Sequence, residues 1–308
     1  MKTRVYAAGL SIVALAGLAQ AQTIDPAFAG SYSYVDLGSA PGVPTNYGGL
    51  TMLAGTTDTL LLGGAANGAS GSLWAVKVSR DAGNHINGII SAERWGDAPN
   101  NDGGVAYGPG GVLFASQWPA NKLSQYKPGS TSPDKVIDLA PLGAAQSHSA
   151  VNFVPSDYTA AGRMKLSSWA GGQFYDATFA PDGSGTYDIT ALAQTATLSG
   201  GPEGFAYVPL NSPLINGEAM IVSEYSANTV AIYDVDANGD PLAATRRTFM
   251  SGLSGAEGAF IDPVTGDFLF STFGGGNRII AVRGFAIPTP GASGLLALAG
   301  MTIVRRRR

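Results

Sequence analysis

The stretch GPEGFAYVP, residues 201–209, decides how this chain is read, because it is not unique. It returns as GAEGAFIDP at 255–263, and in looser form as DGGVAYGP at 102–109 and SHSAVNFVP at 147–155. A fainter copy begins with NYGGLTML at residue 46 and continues through TLLLGG and GSLWAVKV. Self-similarity at a fixed period is the signature of a repeat architecture and takes precedence over local propensities. The residues that close the first strand of each copy, Gly55, Pro109, Pro155, Pro209 and Pro263, stand 54, 46, 54 and 54 positions apart.

Each copy continues in the same way. A second strand ends in a polar residue and an aromatic: Ser116-Gln117-Trp118, Ser167-Ser168-Trp169, Ser223-Glu224-Tyr225 and Ser271-Thr272-Phe273. Asn121, Asn228 and Asn277 then precede a third strand, and asparagine tolerates the left-handed backbone of a tight hairpin. HINGIISAERW, KVIDLA, YDITALAQTATL and LAATRRTFM supply a fourth strand to four of the copies. The last copy lacks one, whereas SYSYVDLG at 31–38, with its period of two, belongs to none. Lending that strand to the last copy closes a ring. The expected fold is therefore all-β: a five-bladed β-propeller of four-stranded blades closed by an N-terminal strand, a design that hides sheet edges by radial repetition. A sixth blade hidden within residues 28–100 is the alternative, since repeats of about 40–45 residues are commoner in propellers.

The composition agrees with a folded body and removes several functions. The 308 residues are 45% hydrophobic and 13% charged, too apolar for a disordered chain. The absence of cysteine excludes disulfides, thiolate zinc sites and cysteine nucleophiles. Lys2 and Arg4, an apolar run and the small residues AQA form a secretory signal over 1–21, with cleavage expected after Ala21. The propeller is expected over 28–285. Residues 287–308 hold an uncharged apolar stretch, 291–304, followed by Arg305 to Arg308. That stretch is shorter than the roughly 20 residues a spanning helix needs, and its arginine stop fits a segment kept from crossing a membrane. Without both ends the body carries 22 acidic against 12 basic side chains. Such a surface repels nucleic acid and attracts divalent cations.

The tail resembles the PEP-CTERM sorting signal of bacterial envelope and exopolysaccharide-associated proteins. Its motif position reads Pro288-Thr289-Pro290, with threonine where the family has glutamate. The resemblance implies processing by exosortase-type machinery, contact of the C-terminal segment with the membrane before or instead of processing, and a final place at the cell envelope surface or outside the cell. A plain membrane anchor is the simpler alternative. The repeat pattern itself is similar to the broad NHL-type and gluconolactonase-type propellers. The gluconolactonase side of that resemblance implies a channel metal held by acidic and amide side chains.

Two groups of residues are candidate metal ligands. Glu203 and Glu257 hold the same register, six residues before Pro209 and Pro263, at the start of an innermost strand. In a ring, equivalent positions converge on the channel, where two carboxylates suit Ca2+. Counted back from the closing residue, Asp102 and His148 fall one position earlier, and strand alternation turns them away unless a loop geometry brings them in. Asp234, Asp236, Asn238 and Asp240 of DVDANGD alternate as the ligands of a compact calcium loop do, with a glycine turn at Gly239. The plain alternative is an acidic hairpin. Glu224 replaces the neutral residues of the other copies and reads as surface or pocket lining. The aromatics at the second-strand ends either pack blade against blade or stack on a ligand ring. No nucleophile elbow, zinc-binding helix motif or phosphate loop is present, and no catalytic or organic-cofactor residue is assigned. The sequence therefore points to a non-catalytic exported envelope or matrix propeller acting as a binding or structural module for a glycan or protein. A calcium-dependent lactonase-like hydrolase with a metal in the central channel is the alternative.

Overall fold

A computed structural model describes residues 22–288. The expected secretory signal, 1–21, and nearly all of the sorting tail lie outside these described residues.

Five four-stranded antiparallel sheets form the ring. Blade 1 comprises Leu50–Met52, Thr59–Gly64, Ser72–Arg80 and Ile86–Asp97, from the channel outward. Blade 2 follows with Asn101–Tyr107, Leu113–Gln117, Lys122–Tyr126 and Lys135–Asp138, and blade 3 with His148–Phe153, Met164–Ser168, Gln173–Pro181 and Tyr187–Thr197. Blade 4 is Pro202–Tyr207, Ala219–Glu224, Thr229–Asp234 and Arg247–Ser251. Blade 5 takes Phe260–Ile261, Phe268–Ser271 and Ile279–Arg283 from its own repeat and Ser33–Gly38 from the N-terminal stretch. Tyr34 pairs with Val282 and Asp36 with Ile280, so the last sheet is completed as the strand count requires. The six-blade alternative does not hold, because residues 28–100 are used up by the closing strand and a single blade with long outer strands. One element goes beyond the sequence reading: Thr23–Ile24 adds a fifth strand to the outer edge of blade 4.

The core is divided among the interfaces. One hydrophobic cluster fills each gap, for example Leu61, Leu73, Val105 and Leu113 between blades 1 and 2, and Ile232, Phe249, Phe268 and Ile280 between blades 4 and 5. At the ring closure, buried Asp262 pairs with Arg80, buried Asp267 with His85, and Asp81 with Arg283. These contacts tie the last blade to the first.

Nearer the axis the ring is stitched by polar bonds. Ser116 Oγ donates to the Ser149 carbonyl of the next blade (2.6 Å), Ser149 Oγ to Pro202 (2.7 Å), Ser223 Oγ to Gly258 (2.9 Å) and Ser271 Oγ to Gly48 (2.5 Å). Blade 1 has Gly63 where blades 2, 4 and 5 have their second-strand serine, and there the Gly49 amide donates to the Asp102 carbonyl instead (2.7 Å). Innermost strands this close leave no room for side chains. A Cβ added to Gly103 would lie 1.9 Å from the Glu203 carbonyl oxygen, although those residues belong to blades 2 and 4. We expect Gly103→Ala to destabilise the protein by several kcal/mol, as forced overpacking against backbone does. Gly30→Ala, which meets nothing within 4 Å, should leave stability within about 0.5 kcal/mol in the same urea titration.

Candidate functional site

Each blade starts its innermost strand in the same unusual way. Asn46, Asn100, Ser147, Gly201 and Gly255 all have left-handed backbones, with φ of 65°, 57°, 71°, 72° and 63°. The carbonyl of each accepts a 2.9 Å bond from a residue at the end of the second strand: Ala66, Trp118, Trp169, Tyr225 and Phe273 in turn. The hairpin asparagines, left-handed as expected, reach across to the same place. Asn228 Oδ1 accepts from the Gly255 amide (3.1 Å), Asn277 Oδ1 from Asn46 (2.5 Å) and Asn121 Oδ1 from His148 (3.2 Å).

After this left-handed residue the strand bulges. In blade 4, Pro202 pairs with Glu224 but Gly204 with Ser223, so Glu203 has no partner across the sheet. Blade 3 repeats this at Ser149. In blade 2 the pairing jumps from Asn101–Gln117 to Val105–Ala115, which inserts two extra residues. An unpaired residue in a bulge is free to leave the strand's alternation. Two positions beyond the left-handed residue stand Gly48, Asp102, Ser149, Glu203 and Glu257, and these form a ring around the channel.

Three of these five are acids, and they meet. Oxygens of Asp102, Glu203 and Glu257 lie within 4.8 Å of one another, and among the described residues this is the one group of three or more such side chains that converges. Asp102 is 0%, Glu257 1% and Glu203 6% exposed. Both oxygens of Asp102, Oε2 of Glu203 and Oε1 of Glu257 are buried without a hydrogen-bond partner. Burial raises the pKa of all three, and the mutual charge of the group adds to the rise at the two glutamates. Asp102 is pushed up to about 7 by burial, against partial relief from contacts with Glu257, Glu203 and Asn67. Glu203 rises through burial and then the charge of Asp102, and Glu257 through burial and then the charges of Glu203 and Asp102. A donor set of hard oxygens, partly orphaned and lacking a cationic side chain, fits a calcium-class ion. Ca2+ takes six to eight oxygens, so backbone carbonyls, amides or water would complete its shell. Bound there, such an ion would neutralise charge and act as a Lewis acid toward any oxygen that reached it.

Glu203 and Glu257 thus meet in the channel, joined by Asp102, which counting from the closing proline had turned away. Counting from the left-handed residue instead would have found it, since the double bulge of blade 2 adds one residue before Pro109. His148 stays apart. Its Nδ1 lies 3.2 Å from the Ser167 carbonyl, its Nε2 is unpartnered, and burial lowers it to about 4.

The DVDANGD side chains do not converge. Asp236 Oδ1 accepts the amides of Asn238 (2.8 Å) and Asp240 (3.0 Å), which builds the turn itself. Asp240 receives the fully buried Lys165 ammonium at 2.5 Å, Asn238 Oδ1 accepts from Arg163 at 3.0 Å, and Asp234 pairs with Arg247 at 3.1 Å. Two of these partners, Lys165 and Arg163, belong to or adjoin blade 3, so the loop fastens blade 4 to its neighbour. Glu224 is not a surface residue. It is 0% exposed and is bonded by Arg246 through two nitrogens, by Tyr233 Oη and by Thr229 Oγ1.

The aromatics at the second-strand ends sit on the same face as the acids. Trp169, Tyr225 and Phe273 form a chain of edge-to-face contacts, with centroids 6.2 and 6.0 Å apart, across blades 3, 4 and 5. All three are half-buried. The Tyr225 hydroxyl is raised by burial and then by the charges of Glu257 and Glu203. Beside Trp169 opens a cleft of about 460 Å³ lined by Trp169, Ala170, Gly200, Gly201, Ser226 and Ala227.

No family model matches the chain, and no curated protein matches it. Among solved structures it is similar to a glucose dehydrogenase at 10% identity over 81% of this chain and 99% of the other, with a TM-score of 0.45. It is also similar to the glutaminyl cyclase of Myxococcus xanthus (13% identity, 84% and 97% covered, TM-score 0.48). The PQQ domain of a pyranose dehydrogenase from Coprinopsis cinerea gives 11% identity, 86% and 97% covered, and a TM-score of 0.47. Likeness at this level says nothing about the chemistry of the site.

The carboxylates give the chain a pH signature. Their pKa values are higher in the folded than in the unfolded state, so the native state holds extra protons between about pH 4 and 7, and stability falls as pH rises through that window. His148, with its folded value depressed to about 4, works the other way: its contribution is full above about pH 6.5 and is lost below. Three raised acids outweigh one depressed base. In chelator, the melting temperature should be higher at pH 5 than at pH 7.5, and a thermal scan series that rises toward neutral pH would contradict this assignment.

Proposed function

We propose that this protein is a non-catalytic, exported propeller of the cell envelope or extracellular matrix that binds a neutral glycan on the face carrying Trp169, Tyr225 and Phe273. The observation that carries this reading is the aromatic arc itself: three neighbouring blades present a half-buried ring at the same repeat position, beside an uncharged cleft. Sugar rings have apolar faces that stack on indole and phenol rings, which supply large contact area at little entropic cost. The cleft floor is glycine backbone, and Ser226 Oγ, which accepts from Trp169 Nε1 at 2.9 Å, is at hand for a sugar hydroxyl. The acids beneath Tyr225 disfavour anionic ligands. Export through the N-terminal signal and processing of the PEP-CTERM-like tail by an exosortase would bring this face to envelope polysaccharide.

The lactonase-like alternative has the channel carboxylates in its favour, since a hard cation there would polarise a carbonyl. Its own test is turnover of aliphatic lactones in calcium. Turnover lost in Glu203→Gln would replace the binding reading.

Retention on immobilised neutral polysaccharides, with tryptophan fluorescence titration of soluble fragments, tests the glycan site. Trp169→Ala is expected to weaken binding about tenfold or more, as loss of a central aromatic anchor does, with little change in melting temperature. Binding that survives both Trp169→Ala and Tyr225→Ala, or no retention on any neutral polymer, would rule the site out.

A further inference from the structure

The channel acids are more enclosed than a reaction centre requires. Glu203 is the most exposed of the three at 6%. Below them the glycine backbones close the axis: a Cβ on Gly103 would strike the Glu203 carbonyl, one on Gly204 the Glu257 carbonyl at 2.3 Å, and one on Gly258 the Gly49 Cα at 2.9 Å. None of the ion pairs among the described residues includes Asp102, Glu203 or Glu257. Two further oxygens stand nearby without partners. Asn67, whose side chain touches the Asp102 carboxyl, has a buried and unbonded Oδ1. Asn101 is 1% exposed, and its Oδ1, also unbonded, lies 2.6 Å from where Gly48 would carry a side chain in the same ring. Buried carboxylates that lack hydrogen bonds stay ionised only beside a counter-charge and otherwise take up protons, and every donor here is a hard oxygen.

We propose that Asp102, Glu203 and Glu257 hold one hard divalent cation of the calcium class, sealed at the head of the channel, and that the ion acts as a pin joining blades 2, 4 and 5. The pin does not rest on the glycan reading and needs no substrate. It neutralises most of a buried triple negative charge and cross-links strands far apart in sequence. An ion so enclosed leaves only when the ring opens.

The full chain, purified and dialysed, is the material for the test. Metal analysis should give one calcium per chain, and calcium in place of chelator should raise the melting temperature on the order of 10 °C. Glu203→Gln and Glu257→Gln keep the side-chain shape but remove charge. In chelator they should melt above the wild-type chain, and in calcium below it. That crossing is the specific mark of the pin, because a purely structural glutamate would lose stability in both conditions. Terbium alone, used in place of calcium, should give emission sensitised by Tyr225 in the wild-type chain and none in Asp102→Asn. Removal of the ion should proceed at a rate independent of chelator concentration.

The proposal fails if calcium, magnesium, manganese and zinc all leave the wild-type melting temperature unchanged. It also fails if the calcium effect survives in Glu203→Gln and disappears in Asp236→Asn, which would move the ion to the DVDANGD turn. A removal rate proportional to chelator concentration would overturn the sealed character of the site.

Discussion

Each blade donates at least one hydrogen bond to the innermost backbone of its neighbour, and five of these bonds form a chain that closes around the ring. Four of the donors are buried serine hydroxyls and the fifth is the Gly49 amide. Each acceptor is a carbonyl on, or just before, an innermost strand that has no further strand beside it. An unpaired buried carbonyl costs about 1–3 kcal/mol, so every interface depends on its donor being within reach. Reach demands that the innermost strands nearly touch, and that leaves glycine as the residue at Gly49, Gly103, Gly104, Gly204 and Gly258. The glycines follow from the stitching and not from flexibility.

The same closeness places the acids. A strand that starts this near the axis cannot run straight, and a left-handed residue followed by a bulge absorbs the mismatch. The unpaired bulge residue is turned toward the channel because the sheet faces are already filled by neighbouring blades. At two of the five positions the ring takes glycine or serine; at three it takes a carboxyl group. Backbone geometry therefore dictates where the channel side chains stand, and the sequence chooses only their chemistry. Asp102, Glu203 and Glu257 are charge assembled by a repeat, on strands that are distant in sequence but equivalent in construction.

The fold was legible because it rests on periodic signals: alternating strands, hairpin asparagines, closing prolines and one orphan strand. Ser33–Gly38 could be assigned to blade 5 by counting alone. The two-residue strand Thr23–Ile24 could not, since so short a pairing leaves no pattern. The site was half legible. Glu203 and Glu257 share a register from either end of the repeat, whereas Asp102 shares it only when counted from Asn100, and a double bulge cannot be seen in residue types. The partners of Glu224 and of DVDANGD were not legible, for a common reason. Whether an acid is solvated, bonded or metal-bound depends on what the outer strand of its own blade or the neighbouring blade brings, and Arg246, Lys165 and Arg163 lie 22, 75 and 75 positions from the groups they bond.

The two features of the channel face depend on each other physically. Trp169 lies over Gly201 and Tyr225 over Gly255; a Cβ at either glycine would come within 2.8 Å of the ring above it. Gly201 and Gly255 stand two residues before Glu203 and Glu257. Whatever holds those carboxylates in place also holds the left-handed turns on which the rings rest. A counter-ion below would fix the turns, and fixed turns hold the rings at their edge-to-face spacing before any ligand arrives. Binding surfaces gain affinity when ordering is completed in advance. The arrangement accounts for charge buried beneath a neutral aromatic surface: the charge sets the geometry of the rim that the proposed glycan would meet.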